Sequence, residues 1–364
     1  MRLICKNYTI LNIKRLPFDK NTFSLIKNLK TLIVSFTLMS SDLSESLKRR
    51  YVKLKVNGLA KVFKVQDEII SSIRAFLKNE GFIEILAPII GPVTDPGIRG
   101  AKQATIDYYG VPFKVMSSMI LYKQMIITAL PKVFALSPNI RLEPLETVRT
   151  RRHLTEFRQI DLEVAYATGE DVMELGERML CHVIDNVKGK CREEIGERVK
   201  TLKVPRLPFK RYTYREALEI LESVGINVEY GKEIPWEAEE AISQMHSEPF
   251  WITNFPFTAR SFYYMESDKE PGVLKDFDLI YPEGFGEAIS GGEREYRYDK
   301  LLERMLKSGE NPADYEWYLD MLRVGIPPSA GFGIGVERLT RFICGLESIW
   351  DAVPFPKVAG IPSP

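Results

Sequence analysis

The sequence predicts an α+β protein, and three stretches carry that expectation. Residues 327–350, PPSAGFGIGVERLTRFICGLESIW, alternate Gly331, Gly333 and Gly335 with Phe332, Ile334 and Val336, the period of a strand. An amphipathic helix follows at once, with Leu339, Phe342, Ile343 and Leu346 as its apolar positions. Residues 132–166 read as strand, long basic loop, strand, which makes a hairpin. Residues 66–80 place Ile69, Ile70, Ile73, Phe76 and Leu77 at helical spacing, and Gly81 closes that helix.

Bulk properties narrow the class. At 364 residues the chain can bury a substantial core in one large domain or two modest ones. Fifty basic residues against 49 acidic ones leave it nearly neutral, without a general electrostatic footprint for nucleic acid, although a local patch would suffice. Four cysteines without a CxxC pair suggest a reduced, cytoplasmic protein with no disulfide frame. Three histidines, His153, His182 and His246, weigh against a histidine-built metal cage. No apolar run reaches transmembrane length, so no membrane partner is expected.

Taken in order, residues 1–40 mix Lys/Asn-rich and apolar pieces without clean periodicity, and Met39 reads like a fresh start. They are expected to be a poorly ordered extension or a mis-assigned start, not a functional domain. A polar helix (42–65) and the apolar helix (66–80) lead into FIEILAPII, a short strand ending at Pro88. GPVTDPGIRGAKQ, residues 91–103, is a polar Gly/Pro loop. FKVMSSMILYKQMIITAL holds a strand and a helix, with Lys123 early in that helix. A lone lysine is ordinarily a solvated charge.

In the hairpin, Phe157, Gln159, Asp161 and Glu163 alternate and point to one face of the second strand. One aromatic and three polar groups do not make a core face, so this face meets either solvent or a polar pocket. Residues 170–250 hold amphipathic helices around a polar connection, with no expected chemistry; Trp236 and His246 read as packing residues. Residues 250–265 form strand, turn, strand. In DFDLIYPEGFGEAISGGEREYR, residues 276–297, Asp278, Glu287 and Ser290 bring hard oxygen donors together, a set suited to Mg²⁺ shared with phosphates, although acids in a loop are more often merely solvated. At the glycine strand, backbone N–H groups beside Arg338 suit a polyphosphate. A tight sheet–helix junction with a surface arginine explains the spacing equally well.

Resemblance separates these alternatives. GFGIGVERL resembles motif 3 of class II aminoacyl-tRNA synthetases, in which the arginine holds the ATP γ-phosphate; Arg338 takes that place. RLE…RHLTEF.QIDLE resembles motif 2 of the aspartyl/asparaginyl type. It implies Arg141 on the α-phosphate, Glu143 and Phe157 at adenine, His153 near the triphosphate, Gln159 in the substrate pocket and Asp161 on the substrate ammonium. The helix and strand ending at Pro88 resemble motif 1, the dimer interface of the family. GEAISGGEREYR resembles the family's GEI.SGGQRE signature, which implies Glu287 and Ser290 on the ATP magnesium, Asp278 as a secondary ligand and Arg294 on the amino-acid side chain. Tyr122-Lys123-Gln124 is similar to the YKQ of aspartyl-tRNA synthetases, whose lysine binds the aspartate side chain. VPFPK (353–357) matches the tail after motif 3. The resemblance runs from about 66 to 357 and implies one catalytic domain over 41–364, an antiparallel sheet flanked by helices, with a small helical insertion at about 170–250.

The resemblance also implies a reaction: MgATP adenylates a carboxylate, with Arg141, Arg338 and Mg²⁺ neutralising charge as pyrophosphate leaves. Only 65 residues precede the apolar helix, and they lack the alternating strands of the family's anticodon-binding barrel. The chain therefore looks similar to the archaeal asparagine synthetases related to asparaginyl-tRNA synthetase. Lys123 and Arg294 would leave two cations unpaired against asparagine, so aspartate is the expected substrate. Asparagine is formed only if the β-carboxylate meets ATP and the α-carboxylate turns into the cationic pocket. Ile120, where aspartyl synthetases have glutamine, removes an amine-side acceptor and fits that reversal; Asp161 and the loop 91–103 would then take the ammonium. The expected partners are aspartate, ATP and ammonia, with tRNA unlikely. The motif 2 loop is a few residues longer than the family pattern and carries Arg149, Arg151 and Arg152, which keeps transfer of aspartate to RNA as the alternative. A non-catalytic binding module is the third reading, opposed by Arg141, Glu287, Arg294 and Arg338 standing together.

Overall fold

The computed structural model describes residues 43–56, 58–98 and 100–364, so the extension expected over 1–40 lies outside the described residues. The strands in chain order are β1 (Ile83–Glu84), β2 (Ile90–Gly91), β3 (Thr105–Tyr108), β4 (Val111–Val115), β5 (Lys132–Ile140), β6 (Glu156–Ala165), β7 (Lys210–Thr213), β8 (Phe250–Thr253), β9 (Asp276–Tyr281), β10 (Gly286–Glu293) and β11 (Ser329–Gly335). Eight of them make one sheet in the order β1-β5-β6-β11-β10-β9-β8-β7, and β2-β4-β3 make a small second sheet. The six central strands of the large sheet are antiparallel; β1 and β7 join its edges in parallel. The fold is α+β, an antiparallel-rich sheet flanked by helices.

Strand alternation gives the large sheet two unlike faces. On one face Phe134, Ile160, Leu162, Phe277, Leu279, Phe332 and Ile334 sit in a core with Ile69 and Ile73 of the helix Leu59–Asn79 and Met179, Leu180 and Val183 of the helix Gly169–Lys190. The second helix starts from a capping box: Asp171 N–H donates to Thr168 Oγ1, and Thr168 N–H donates back to Asp171 Oδ2. The opposite face at β6, β10 and β11, where Gln159, Asp161, Glu163 and Ser290 stand opposite the glycines of β11, is left open to a cavity beside the helix Ile120–Ile126, whose Lys123 reaches Asp161 and Glu163. A Cβ on Gly331 would come within 2.7 Å of the Glu163 carboxyl carbon, and one on Gly333 within 3.1 Å of Asp161 Oδ1. The glycines are the space in which the acids lie.

One expectation needs correction. FIEILAPII is not one strand: β1 and β2 belong to different sheets, and the residues between them are loop, with Leu86 98% exposed. Alternation cannot distinguish a strand from an extended apolar stretch that lies on the surface. The region 170–250, expected as a small helical insertion, also contains β7 and the start of β8. Its first helix belongs to the main core, β7 and β8 extend the main sheet, and only the helices Tyr214–Ser223 and Trp236–Gln244 gather in a smaller cluster with Phe250, Ile252 and Phe255. His246 packs as expected, stacked on Phe250 at 3.9 Å and bonded to Tyr212 Oη at 2.9 Å. Among the described residues no helix is long and apolar enough to cross a membrane.

One substitution made twice tests this packing. Gly291→Ala puts a Cβ 2.5 Å from the Gly331 carbonyl oxygen and 2.6 Å from Phe332 Cβ. It is expected to lower stability by about 1–3 kcal/mol, because strand backbone cannot yield. Gly189→Ala, on the exposed last turn of the helix Gly169–Lys190 with nothing within 4 Å, is expected to raise stability by about 0.5–1 kcal/mol. Urea unfolding of the two variants checks the opposite signs.

Candidate active site

The open sheet face forms the floor of a cavity of about 810 Å³. Lys123, Arg141, Glu143, His153, Gln159, Asp161, Glu287, Ser290, Arg294 and Arg338 all line it, so ten side chains spread over 216 positions of sequence meet in one space. Phe157 stands beside it, its ring 5.2 Å from the Arg141 guanidinium. Asp278 does not line the cavity. Its carboxylate is tied to buried Arg260 at 2.5 Å, and Arg260 also pairs with Asp276 at 3.0 Å and Glu233 at 3.1 Å. Burial holds the Asp276 carboxyl up at about 7, with Arg260 opposing that rise. In this arrangement Asp278 serves as a partner of Arg260, not as an open metal ligand.

At the centre lies a buried charge cluster. Lys123 Nζ is 3.4 Å from Asp161 Oδ1 and 3.5 Å from Glu163 Oε2, and donates to the carbonyls of Leu162 at 3.1 Å and Phe332 at 3.3 Å. Arg294 grips Glu163 with two nitrogens, Nε to Oε1 at 3.0 Å and Nη2 to Oε2 at 3.2 Å. Ser329 Oγ donates to Glu163 Oε1 at 2.9 Å. The two cations that were expected to wait bare for a substrate carboxylate are thus already paired. Glu163, visible in the sequence only as the last member of an alternating row, supplies the missing charge.

Two atoms of this cluster remain open. Among the described residues, Asp161 Oδ2 and Arg294 Nη1 are buried without a hydrogen-bond partner. An orphan acceptor and an orphan cationic donor in one cavity match the ammonium and carboxylate of an amino acid. Burial pushes the Asp161 carboxyl above its ordinary range, against the pull of Lys123, Arg141 and Arg294. Burial opposes the charge of Arg294 as well, but Glu163 outweighs it and holds the guanidinium charged.

The residues expected to meet phosphate lie where β6, β10 and β11 join their connections. Arg338, on the helix Val336–Cys344 that follows β11 directly, lies 3.1 Å from Glu287 Oε1. Its neighbour Glu337 accepts the Arg158 N–H with both oxygens at 3.0 Å, which locks this helix to β6. Burial holds the Glu337 carboxyl up at about 7. Arg141 Nε donates to the Ser117 carbonyl at 3.2 Å, and His153 Nδ1 lies 2.6 Å from Thr150 Oγ1. Among the described residues no group of three His, Cys, Asp or Glu forms a metal cage. Glu287 and Ser290 fit a different task, since two oxygen donors suit a Mg²⁺ that takes its other ligands from phosphates and water.

The basic loop behaves differently from its sequence. It contains a short 3₁₀ helix, Leu145–Thr150, after which Arg151 pairs with Glu347 and Arg152 is buried against Glu239. Asp95 is a cavity residue that the sequence reading did not single out, and Glu239 lies outside the cavity against the backbone of Glu287. Asp95 lines the cavity, and its Oδ1 accepts from Gly97 N–H at 2.8 Å and Tyr263 Oη at 2.9 Å. It lies within the 91–103 loop already expected near the substrate, whereas Glu239 lies on a helix that showed only amphipathic spacing.

Comparison with known proteins gives a consistent relationship. Residues 42–359 match the family model of the tRNA synthetases class II (D, K and N). The chain is 34% identical over 330 residues to the asparagine–tRNA ligase of Thermococcus kodakarensis, covering 89% of this chain and 75% of that protein. It is 36% identical over 322 residues to the aspartate–tRNA(Asp/Asn) ligase of Methanopyrus kandleri, covering 88% and 72%. The asparaginyl-tRNA synthetase of Pyrococcus horikoshii complexed with asparaginyl-adenylate superposes with a TM-score of 0.84 at 34% identity, over 90% of this chain and 75% of that one.

Glu163 is the keystone of the cluster, and its removal has a defined signature. Glu163→Gln leaves two buried cations against Asp161 alone, a surplus charge expected to cost about 3–5 kcal/mol, read as a lower urea midpoint at unchanged slope. Adding Lys123→Met removes one stranded charge, so the double variant is expected to lose less than the sum of the single losses.

Proposed function

The chain belongs to the class II tRNA synthetases (D, K and N), and from that membership we propose that it is an ammonia-dependent asparagine synthetase. A carboxylate oxygen of aspartate attacks the α-phosphorus of ATP and pyrophosphate leaves. Ammonia then attacks the acyl carbon of the aspartyl-adenylate, AMP departs with the C–O electron pair, and the nitrogen loses its surplus proton to solvent.

The residues take roles in that sequence. Arg294 Nη1 receives one substrate carboxylate, and Asp161 Oδ2 receives the ammonium. With the α-carboxylate turned inward, asparagine would bring an amide in place of the attacking carboxylate to ATP, so aspartate is favoured although both cations are paired. The α-carboxylate occupies this inner position and the β-carboxylate faces ATP. Ile120 lines the cavity and offers no acceptor, while Asp95 on the opposite loop does. Arg141 and Arg338 hold the α- and γ-phosphates and stabilise charge as it moves onto pyrophosphate. Glu287 and Ser290 would hold Mg²⁺, which would supply charge neutralisation at the phosphates.

The observation that carries ammonia over RNA is the state of the basic loop. Arg152 is buried against Glu239 and is not offered to a phosphate backbone, whereas Arg149 and Arg151 are exposed, Arg151 beside Glu347. Transfer to RNA is the second reading, favoured by relatives that are named as asparagine–tRNA and aspartate–tRNA(Asp/Asn) ligases. A homodimer belongs to the proposal too. Ile83, Leu86, Ile89 and Met125 are exposed beside an apolar groove of about 300 Å³ lined by Pro88, Met119 and Tyr122. Leu86→Asp is expected to halve the particle mass in light scattering, and a mass unchanged from a wild-type dimer would place the interface elsewhere.

Product analysis tests the reaction. Purified protein is incubated with aspartate, MgATP and ammonium, and the products are separated by chromatography that resolves asparagine from isoasparagine. Asparagine with AMP and pyrophosphate is expected. Isoasparagine would reverse the substrate pose. Aspartate-dependent ATP–pyrophosphate exchange without either amide would favour an RNA acceptor.

A further inference from the structure

The turn between β9 and β10 delivers Glu287, and it is held from outside the cavity by one helix. Ser243 on the helix Trp236–Gln244 accepts N–H bonds from Gly284 at 2.9 Å and Gly286 at 3.3 Å, and donates to the Tyr281 carbonyl at 2.5 Å. One helical turn earlier, Glu239 Oε1 accepts the N–H of Glu287 itself at 2.6 Å. The same oxygen receives Arg152 Nη2, and Arg152 Nη1 reaches the Trp236 carbonyl at 3.4 Å. Glu239, Ser243 and Arg152 are all buried. Gly286 has φ +73°, and a Cβ there would overlap both Arg152 and Glu239. The pairing of β10 with β9 shifts register between Glu287 and Ile289, so the sheet ladder does not fix the Glu287 side chain by itself.

We propose that Glu239 and Arg152 are positioning residues for MgATP binding. Glu239 sets the backbone of Glu287, Arg152 holds Glu239 in place, and together they couple the loop carrying His153 to the turn carrying Glu287. This rests on the proposed role of Glu287 at MgATP. The physical basis is the one by which partners behind a metal ligand fix its orientation: a buried carboxylate that both anchors a backbone N–H and pairs with an arginine cannot change rotamer without breaking two bonds. A residue that helps only to fold the chain would leave the magnesium requirement unchanged.

The test uses the full chain and two readouts. The first is aspartate-dependent ATP–pyrophosphate exchange titrated with Mg²⁺. The second is amide hydrogen exchange of residues 284–287 in metal-free protein. Glu239→Ala is expected to raise the Mg²⁺ concentration for half-maximal exchange by about 10–100-fold, leave the KM for aspartate unchanged, and deprotect the turn amides. Glu239→Gln keeps an acceptor for Glu287 N–H but loses the charge for Arg152, so it is expected to fall between. Arg152→Lys, which retains the charge, is expected to recover most of what Arg152→Gln loses. Wild-type Mg²⁺ dependence and unchanged turn protection in Glu239→Ala would overturn the proposal. If that variant fails to fold, Glu239→Gln and Arg152→Gln carry the same readouts, and unchanged values in both overturn it equally. Absence of exchange activity in the wild type would remove the assigned role of Glu287, whereas the amide measurement would still report whether Glu239 holds the turn.

Discussion

The structure depends on a carboxylate placed where carboxylates are costly. Glu163 is fully buried in the middle of the central sheet, and its charge is tolerable only because Arg294, Lys123 and Ser329 surround it. The reverse also holds: neither cation could lie under the cavity without it. Charge balance in this cluster is local, with Lys123 and Arg294 set against Asp161 and Glu163. A dipolar substrate can enter such a site without changing its net charge, provided each end finds a partner. Arg294 Nη1 and Asp161 Oδ2 are the two atoms, one of each sign, left over after the cluster has satisfied itself.

That surplus is bought with stability. Burial raises the Asp161 carboxyl above its unfolded value, so folding favours the protonated form. The associated stability is complete below the ordinary pKa of 3.8 and is lost as pH rises through the raised value. The ionised form works against the fold, and Lys123 limits that cost. Glu337 follows the same sign, with its carboxyl held up at about 7 while it fastens the motif 3 helix to β6. The apolar face of the sheet supplies the compensation: both long helices bury their stripes there, and burial of that kind is the main favourable contribution to folding.

Much of this was legible in the sequence because strand geometry is simple. The row Phe157, Gln159, Asp161, Glu163 fixes which side chains share a face, and the glycines of 331–335 announce a close approach. Periodicity cannot reveal what lies across the ladder. Glu163 sits opposite Gly331 and within reach of Arg294, 131 positions away, so the pairing of the two cations was invisible until the strands were ordered. The ion pair of Asp278 was hidden for a similar reason, since its partner Arg260 comes from a loop that shows no charge pattern. Glu239 was hidden differently. On an amphipathic helix a glutamate reads as solvent-facing, and only the third dimension shows that this one faces the Glu287 turn.

The same contact bears on the choice of acceptor. An acyl-adenylate is indifferent to whether nitrogen or a ribose hydroxyl attacks it, so the acceptor is chosen at the rim of the cavity and not at its floor. In this chain the rim loop is fastened by buried Arg152 to Glu239, while Arg151 meets Glu347 at the surface. A loop that must follow a flexible RNA end needs free arginines and freedom to move. A loop that steadies a phosphate-side carboxylate needs the opposite. Arg152 cannot serve both purposes with one guanidinium, and its burial commits it to the second. A small acceptor such as ammonia asks nothing of the rim except that it stay open, and a fastened loop leaves that opening unobstructed.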